Sequence, residues 1–120
     1  CVEVAHRHGK PMILHCCGNT LDRMAMFAGA GFAAFHFDAE NNIQEALRII
    51  RDTGSPMKLT GGISNLKVLL NGKREDVRSA VTDIIHSGIR LVSPECAIPL
   101  DVSNENLTEI RRVVDGISGA

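Results

Sequence analysis

Residues 11–17, PMILHCC, form a short apolar run that ends in one histidine and two adjacent cysteines. The polar residues 18–20, GNT, follow it, and this pattern is typical of a buried strand that leads into a turn. The next segment predicts an amphipathic helix that Asn19 or Thr20 caps and that Gly31 ends. Its apolar residues repeat at helical spacing: Leu21, Met24, Phe27 and Ala28.

The same order of buried strand and amphipathic helix occurs four times along the chain. Further strands are predicted at residues 33–39, 57–63 and 89–96. Helices are predicted after them, with Asn42 and Ser103 as N-caps. The apolar faces of these helices consist of Ile43, Ala46, Leu47 and Ile50, then Val77, Ala80, Val81 and Ile84, then Leu107, Ile110, Val113 and Val114.

Two segments fall outside this repeat. Residues 2–10, VEVAHRHGK, resemble the end of a helix, and residues 64–72, SNLKVLLNG, are predicted to form a loop with at most one short turn. Because the chain opens at Cys1 in what looks like a helix end, we expect it to be a piece of a longer protein.

The alternation of strands and helices predicts the α/β class, with parallel strands joined by right-handed crossovers. Two architectures satisfy it: a doubly wound open sheet, or half of a (β/α)8 barrel. The sequence contains no GxGxxG motif and no P-loop, which removes the strongest nucleotide-binding signals. Four βα units in 120 residues match half of a barrel. We therefore predict one (βα)4 unit over residues 1–120, the C-terminal half of such a barrel.

Composition narrows the function classes. Hydrophobic residues make up 44% of the chain and charged residues 22%, which favours a globular domain over a disordered one. Net charge is −1 with no basic stripe, so we expect no nucleic-acid partner. No apolar run approaches the roughly 20 residues that cross a membrane. The four cysteines lack the spacing of a disulfide scaffold, so we expect a reducing, cytoplasmic setting.

Functional groups of both architectures gather at the carboxyl ends of the strands. Side chains alternate along a strand, so His15 and Cys17 share one face and Cys16 points to the other. Cys96 ends the fourth predicted strand and lies at the same end of the sheet. One imidazole and two thiolates form a typical zinc ligand set with an open fourth position. A lone histidine or cysteine is more often a packed core residue, so spacing alone leaves both interpretations open.

Three stretches carry a family resemblance: LHCCGNT at 14–20, TGGISN at 60–65 with LLNG at 69–72, and PECAIPLDVSNENL at 94–107. They resemble the C-terminal half of the uroporphyrinogen decarboxylase-like superfamily. More narrowly, they resemble its zinc branch, the methylcobamide:coenzyme M methyltransferases of methanogenesis and related corrinoid-dependent methyltransferases. That branch has an H-x-C motif and a distant cysteine as zinc ligands, which the resemblance assigns to His15, Cys17 and Cys96.

The resemblance implies a (β/α)8 barrel enzyme that transfers a methyl group from a methylated corrinoid to a thiol such as coenzyme M. Its implied cofactors are zinc and the methylcobamide, and a corrinoid protein is the implied partner. It also implies a carboxylate in the fourth zinc position until substrate arrives. We favour Glu40 over Asp38 for that role, because Glu40 lies beyond the strand; Asp38 equally suits a pairing or capping role.

Other residues near the strand ends have weaker signals. Gly61 and Gly62 would let the corrinoid approach the backbone, or would only permit a tight turn. Asn65 offers a polar contact to the same ligand. His36 is expected to pack and hydrogen-bond in the interior, and Glu95 is expected to face away from the site by alternation with Cys96.

Two further interpretations compete with the methyltransferase. One is a zinc-free, uroporphyrinogen decarboxylase-like domain of porphyrin metabolism. The other is a non-catalytic half-barrel that binds a partner, or a second copy of itself, through its two open sheet edges.

Overall fold

The computed structural model describes residues 1–119; Ala120, the last residue of the predicted unit, lies outside the described residues. Four strands alternate with helices: β1 Ile13–Cys16, β2 Ala34–Phe37, β3 Lys58–Ile63 and β4 Leu91–Pro94. The helices are α1 Val2–Arg7, α2 Met24–Gly29, α3 Ile43–Asp52, α4 Arg74–His86 and α5 Asn104–Ser118. A short 3₁₀ turn, Leu21–Arg23, precedes α2, and a π-helical segment, Asn65–Leu70, follows β3.

The four strands form one parallel sheet in the order β1-β2-β3-β4. A doubly wound sheet reverses its strand order at a switch point, and this sheet does not. Right-handed crossovers that advance in one direction place the connecting helices on one face, as in a (βα) barrel. The predicted class of parallel α/β units is therefore confirmed, and the strand order selects the barrel type.

The core lies between the sheet and the helices. Phe35 and Phe37 of β2 are completely buried, and the Phe35 ring lies 5.1 Å from that of Phe27 in α2. Met24 of α2 and Val81 of α4 belong to the same apolar cluster. Burying such side chains contributes about 1.5–3 kcal/mol each, so the alternation along β2 fixes which face turns to the helices and leaves His36 on the other.

Two predicted helix caps are confirmed. The side chain of Asn42 accepts the backbone N–H of Glu45, and that of Ser103 accepts the backbone N–H of Asn106. The predicted start of the second helix is only partly right. Asn19 accepts the N–H of Leu21, but Thr20 is buried and makes no capping bond.

The prediction of a loop with at most one short turn at residues 64–72 was only partly right, because six of these residues, Asn65–Leu70, form a π-helical segment. The Ser64 side chain caps it by accepting the N–H of Lys67. Its backbone bonds span five residues, from Leu69 N–H to Ser64 O at 3.0 Å. This wide turn carries Leu69, which is fully buried in the core, so tertiary packing makes a longer helical segment than the local pattern predicted.

Within residues 1–119, we find no helix long and apolar enough to cross a membrane.

Candidate metal centre

Three side chains converge at the carboxyl end of the sheet. His15 lies in β1, Cys17 follows β1, and Cys96 follows β4. One ligand atom from each lies within 4.8 Å of the other two. His15 Nε2 is 3.2 Å from Cys17 Sγ, and the two sulfur atoms are 3.4 Å apart.

Curvature of the sheet brings these residues together. Strands β1 and β4 lie at opposite edges, so three strand spacings would separate them by about 14 Å on a flat sheet. Two cysteine side chains cannot span that distance. The contact between Cys17 and Cys96 is therefore explained by the curl that a barrel wall has, together with the residues beyond β1 and β4 that carry the two sulfur atoms.

Two of the three separations between the donor atoms are close to those of a tetrahedral zinc site. Zinc binds sulfur at about 2.3 Å and imidazole nitrogen at about 2.0 Å, so its ligand atoms lie about 3.5–3.8 Å apart. The separations from Cys17 Sγ to His15 Nε2 and to Cys96 Sγ differ from these values by a few tenths of an ångström. His15 Nε2 and Cys96 Sγ lie within 4.8 Å of each other. His15 and Cys17 are exposed and Cys96 is half-buried, so a solute reaches the site from the open side.

The two thiols differ in acidity. A backbone hydrogen bond from Ala97 lowers the pKa of Cys96, and contacts with Cys17 and His15 lower it further. The hydrogen bond to Cys96 raises the pKa of Cys17, and burial adds to that rise. Cys96 is thus the more acidic of the two thiols.

Asp38 and Glu40 stand outside this group of three ligand atoms. The Asp38 carboxylate accepts the backbone N–H of Gly18 at 2.9 Å and that of Glu40 at 3.0 Å. Burial raises the pKa of Asp38, but these hydrogen bonds outweigh burial and lower it. Asp38 therefore ties the loop that follows Cys17 to its own turn, while Glu40 is exposed.

The two glycines of β3 make room for side chains of β2. Both have positive φ, +104° at Gly61 and +90° at Gly62. A Cβ at Gly61 would lie 2.8 Å from the Phe37 carbonyl oxygen and 3.1 Å from the His36 ring. A Cβ at Gly62 would lie 2.6 Å from the Phe37 ring. These contacts explain both glycines without a ligand, and their contact with a corrinoid stays a prediction.

Asn65 supports the segment that carries Cys96. It is buried, and its Nδ2 donates to the carbonyl of Ala97 at 2.8 Å. Its backbone N–H donates to Glu95 at 2.7 Å. Its Oδ1 is buried and has no hydrogen-bond partner among the described residues. The predicted contact between Asn65 and a ligand is not tested by these bonds.

Glu95 and His36 make contacts near the site that the sequence did not predict. Glu95 was expected only to face away, yet its carboxylate bridges the backbone N–H groups of Ala39 and Asn65. His36 makes the expected interior hydrogen bonds, to Ser93 and Pro94, and it also contacts His15 at 2.7 Å. The signal for that contact was present, because alternation on neighbouring strands puts both histidines on one face.

Cys16 lies apart from the other reactive side chains. It packs against the apolar core on the helix-covered face, and its sulfur is 3.8 Å from the Cys17 carbonyl. The predicted division of the HCC stretch between two faces is therefore present in the structure.

Strand order, curvature and a ligand set at the carboxyl ends of the strands define the class: a parallel α/β protein of the barrel type with a candidate metal centre at its mouth. The chain belongs to the uroporphyrinogen decarboxylase (URO-D) family, whose model matches residues 1–117. The curated relatives that it resembles are methyltransferases.

Two of these relatives are methylcobamide:CoM methyltransferases MtbA. The protein of Methanosarcina acetivorans is 28% identical over 98 residues, and that of Methanosarcina mazei is 26% identical over the same length. Each match covers 82% of this chain and 28% of the relative. The chain therefore spans little more than a quarter of the length of these relatives.

A solved structure has the same fold. A methyltransferase from Methanosarcina mazei superposes with a TM-score of 0.86 over 98% of this chain and 34% of that one. The two sequences are 21% identical, so the likeness establishes the architecture and not the chemistry.

Proposed function

We propose that this chain holds the zinc centre of a corrinoid-dependent methyltransferase, which transfers a methyl group from a methylcobamide to a thiol such as coenzyme M. One observation carries the proposal: His15, Cys17 and Cys96 present their ligand atoms within 4.8 Å of one another. The methyltransferase relatives supply the reaction class. A zinc-free decarboxylase would not need two thiols and an imidazole at this spacing.

His15, Cys17 and Cys96 would hold the ion. Two thiolates and a neutral imidazole carry two negative charges, which balance a divalent cation. When bound, zinc would lower the pKa of a substrate thiol, so that the thiol is available as the thiolate nucleophile at neutral pH. The exposed side of His15 and Cys17 leaves an approach for that thiol.

We further propose Glu40 as the fourth ligand before substrate arrives, with Asp38 as the rival. Two backbone N–H groups already occupy the Asp38 carboxylate, and the exposure of Glu40 favours it for a ligand that must leave. Gly61, Gly62 and Asn65 remain the proposed corrinoid contacts. The buried Oδ1 of Asn65 has no hydrogen-bond partner within residues 1–119, which supports one of them, since a ligand donor would satisfy it.

Metal analysis tests the zinc centre. Protein purified without chelators should contain about one zinc ion per chain, as a site with three protein ligands predicts. Cys17→Ser and Cys96→Ser should lose it, whereas the matched control Cys16→Ser should keep it. Cobalt substitution should add a thiolate-to-metal absorption band in the wild type and in the control only. Wild-type protein that neither contains zinc nor takes it up would refute the proposal.

Calorimetry tests the thiol substrate. Coenzyme M should bind the zinc-loaded protein and should not bind the metal-free protein or Cys96→Ser. Binding that is equal with and without zinc would contradict a thiolate held by the metal.

We also propose that a second copy of the chain associates through the open sheet edges. Strands β1 and β4 are the edges, and Ile13 and Leu91 on them are 56% and 59% exposed. Unpaired edges favour association. Size-exclusion chromatography should show a dimer of the isolated chain, and a monomer at high concentration would count against this part of the proposal.

A further inference from the structure

We propose that His36 is a positioning residue that fixes the ring tautomer of His15, so that His15 Nε2 presents a lone pair to the metal. The inference rests on the zinc centre proposed above. It follows from the hydrogen-bond partners of two neighbouring rings, whose strands β1 and β2 pair with His15 directly opposite His36.

The first step places a proton on His36. Its Nε2 lies 2.9 Å from the carbonyl oxygen of Pro94 and 3.0 Å from the hydroxyl of Ser93. A carbonyl oxygen only accepts hydrogen bonds, so His36 Nε2 must carry the hydrogen. In the neutral ring, His36 Nδ1 is then an acceptor.

The second step places a proton on His15. Its Nδ1 lies 2.7 Å from His36 Nδ1 and 3.1 Å from the backbone carbonyl oxygen of His36. Both partners accept, so His15 Nδ1 must donate. His15 Nε2 then carries no hydrogen, and this atom lies 3.2 Å from Cys17 Sγ, inside the group of ligand atoms.

The opposite tautomer of His15 is disfavoured by the same contacts. It would direct the Nδ1 lone pair at the His36 carbonyl and at His36 Nδ1, and it would leave the His15 Nε2 hydrogen where the metal binds. The carbonyl of Pro94 and the carbonyl of His36 thus independently select the same arrangement. Removing a partner that orients a metal-binding histidine typically lowers metal affinity by about 10- to 100-fold.

A glycine permits this connection. His36 lies in β2 and Pro94 in β4, so the ring must pass over β3. A Cβ at Gly61 would lie 3.1 Å from His36 Cδ2 and 3.2 Å from its Nε2. Because Gly61 has no side chain, the His36 ring reaches Pro94 of β4, which lies two residues before Cys96. The His15–His36 pair therefore joins the strand of the first ligand to the strand that leads to the third.

Two substitutions separate the positioning role from packing. His36→Leu fills the space but accepts no hydrogen bond. His36→Asn keeps an acceptor oxygen at the position of Nδ1, although it loses the donor to Pro94. Nitrogen-15 NMR of the metal-free protein reports the tautomer of His15 directly, and chelator competition measures the zinc dissociation constant.

We expect the Nδ1–H tautomer of His15 in the wild type and in His36→Asn. In His36→Leu only the backbone carbonyl of residue 36 still accepts from His15 Nδ1, so a smaller fraction of His15 should be in the Nδ1–H form. Zinc should bind His36→Leu about 10- to 100-fold more weakly than the wild type, and His36→Asn within a few-fold of it. A loss of fold stability alone would weaken binding in both variants and would leave the tautomer unchanged.

The inference fails if wild-type His15 is the Nε2–H tautomer, or if His36→Leu binds zinc as tightly as the wild type. If His36→Leu does not fold, the wild-type spectrum and the His36→Asn variant still decide. The NMR measurement needs no metal, so it tests the tautomer of His15 separately from the zinc centre. A wild type that binds no zinc would refute the zinc centre and would leave the tautomer assignment to the NMR result.

Discussion

The carboxylate of Glu95 accepts the backbone N–H of Asn65 at 2.7 Å, and Asn65 in turn donates its side-chain amide to the carbonyl of Ala97 at 2.8 Å. Asn65 therefore holds the residues on both sides of Cys96. The second Glu95 oxygen accepts the N–H of Ala39 at 2.9 Å, so one carboxylate joins three strand ends beside the candidate metal centre.

Replacing Glu95 by glutamine should destabilise the protein. Glutamine has one acceptor oxygen where the carboxylate uses two, so an N–H of Ala39 or Asn65 would face an amide NH2. Leaving a buried donor without a partner costs about 1–3 kcal/mol. Urea denaturation should show this decrease in the free energy of unfolding. Glu75→Gln, at an exposed site of α4, is the control; equal losses in both variants would contradict the bridging role.

Glu109 should make stability depend on acid pH. Its side chain is 1% exposed and contacts Arg78 at 2.7 Å, with Arg74 and Arg112 at 3.5 Å. The hydrogen bond from Arg78 outweighs burial and lowers the pKa of Glu109 below its ordinary value of 4.5. A lowered carboxyl pKa gives stability that is complete above pH 4.5 and is lost as pH falls towards the folded-state value.

Glu109→Gln should therefore lower the free energy of unfolding at pH 7 and flatten its decrease below pH 4.5. The matched control is Glu105→Gln, because Glu105 pairs with the same Arg74 but is 62% exposed. Exposed pairs contribute little. An unchanged pH profile in Glu109→Gln, measured by urea denaturation across the acid range, would show that the buried carboxylate is not the titrating group.

Gly62→Ala should be strongly destabilising. The new Cβ would lie 2.6 Å from the buried Phe37 ring, at a residue with φ +90°. Overpacking of a core costs about 1–3 kcal/mol, and the positive φ adds strain. Gly116→Ala is the control, since Gly116 lies in α5 with open space around it, and alanine should stabilise that helix by up to about 1 kcal/mol. Thermal unfolding should move in opposite directions for the two variants.

Oxidation should join Cys17 to Cys96 in the metal-free protein. Their sulfur atoms are 3.4 Å apart, and a shift of about 1.4 Å reaches the disulfide length of about 2.05 Å. Diamide would take two electrons and two protons from the thiols. We expect two thiols to disappear in a thiol titration, a Cys17–Cys96 peptide in mass spectrometry, and no zinc uptake until reduction.

Zinc added beforehand should protect both thiols from diamide, and Cys16→Ser should behave as the wild type. A disulfide between Cys16 and Cys17 instead would contradict the observed separation of these side chains to opposite faces.

Local patterns accounted for much of the fold. Period-two alternation placed Phe35 and Phe37 in the core and His15 on the other face, and short polar side chains marked the caps at Asn42 and Ser103. These features depend on a few neighbouring residues. The helical segment Asn65–Leu70 was predicted only in part, because burial of Leu69, a long-range contact, decides it.

The sequence by itself determined the order of strands and helices, the face on which each side chain lies, and the candidate set His15, Cys17 and Cys96. Backbone geometry repeats over a few residues, so these properties are local. Only the tertiary structure decided that β1 and β4 curl until two sulfur atoms approach to 3.4 Å, and that His36 crosses over Gly61 to reach Pro94. Those distances depend on the curvature of the whole sheet, which arises from packing among residues far apart in the chain.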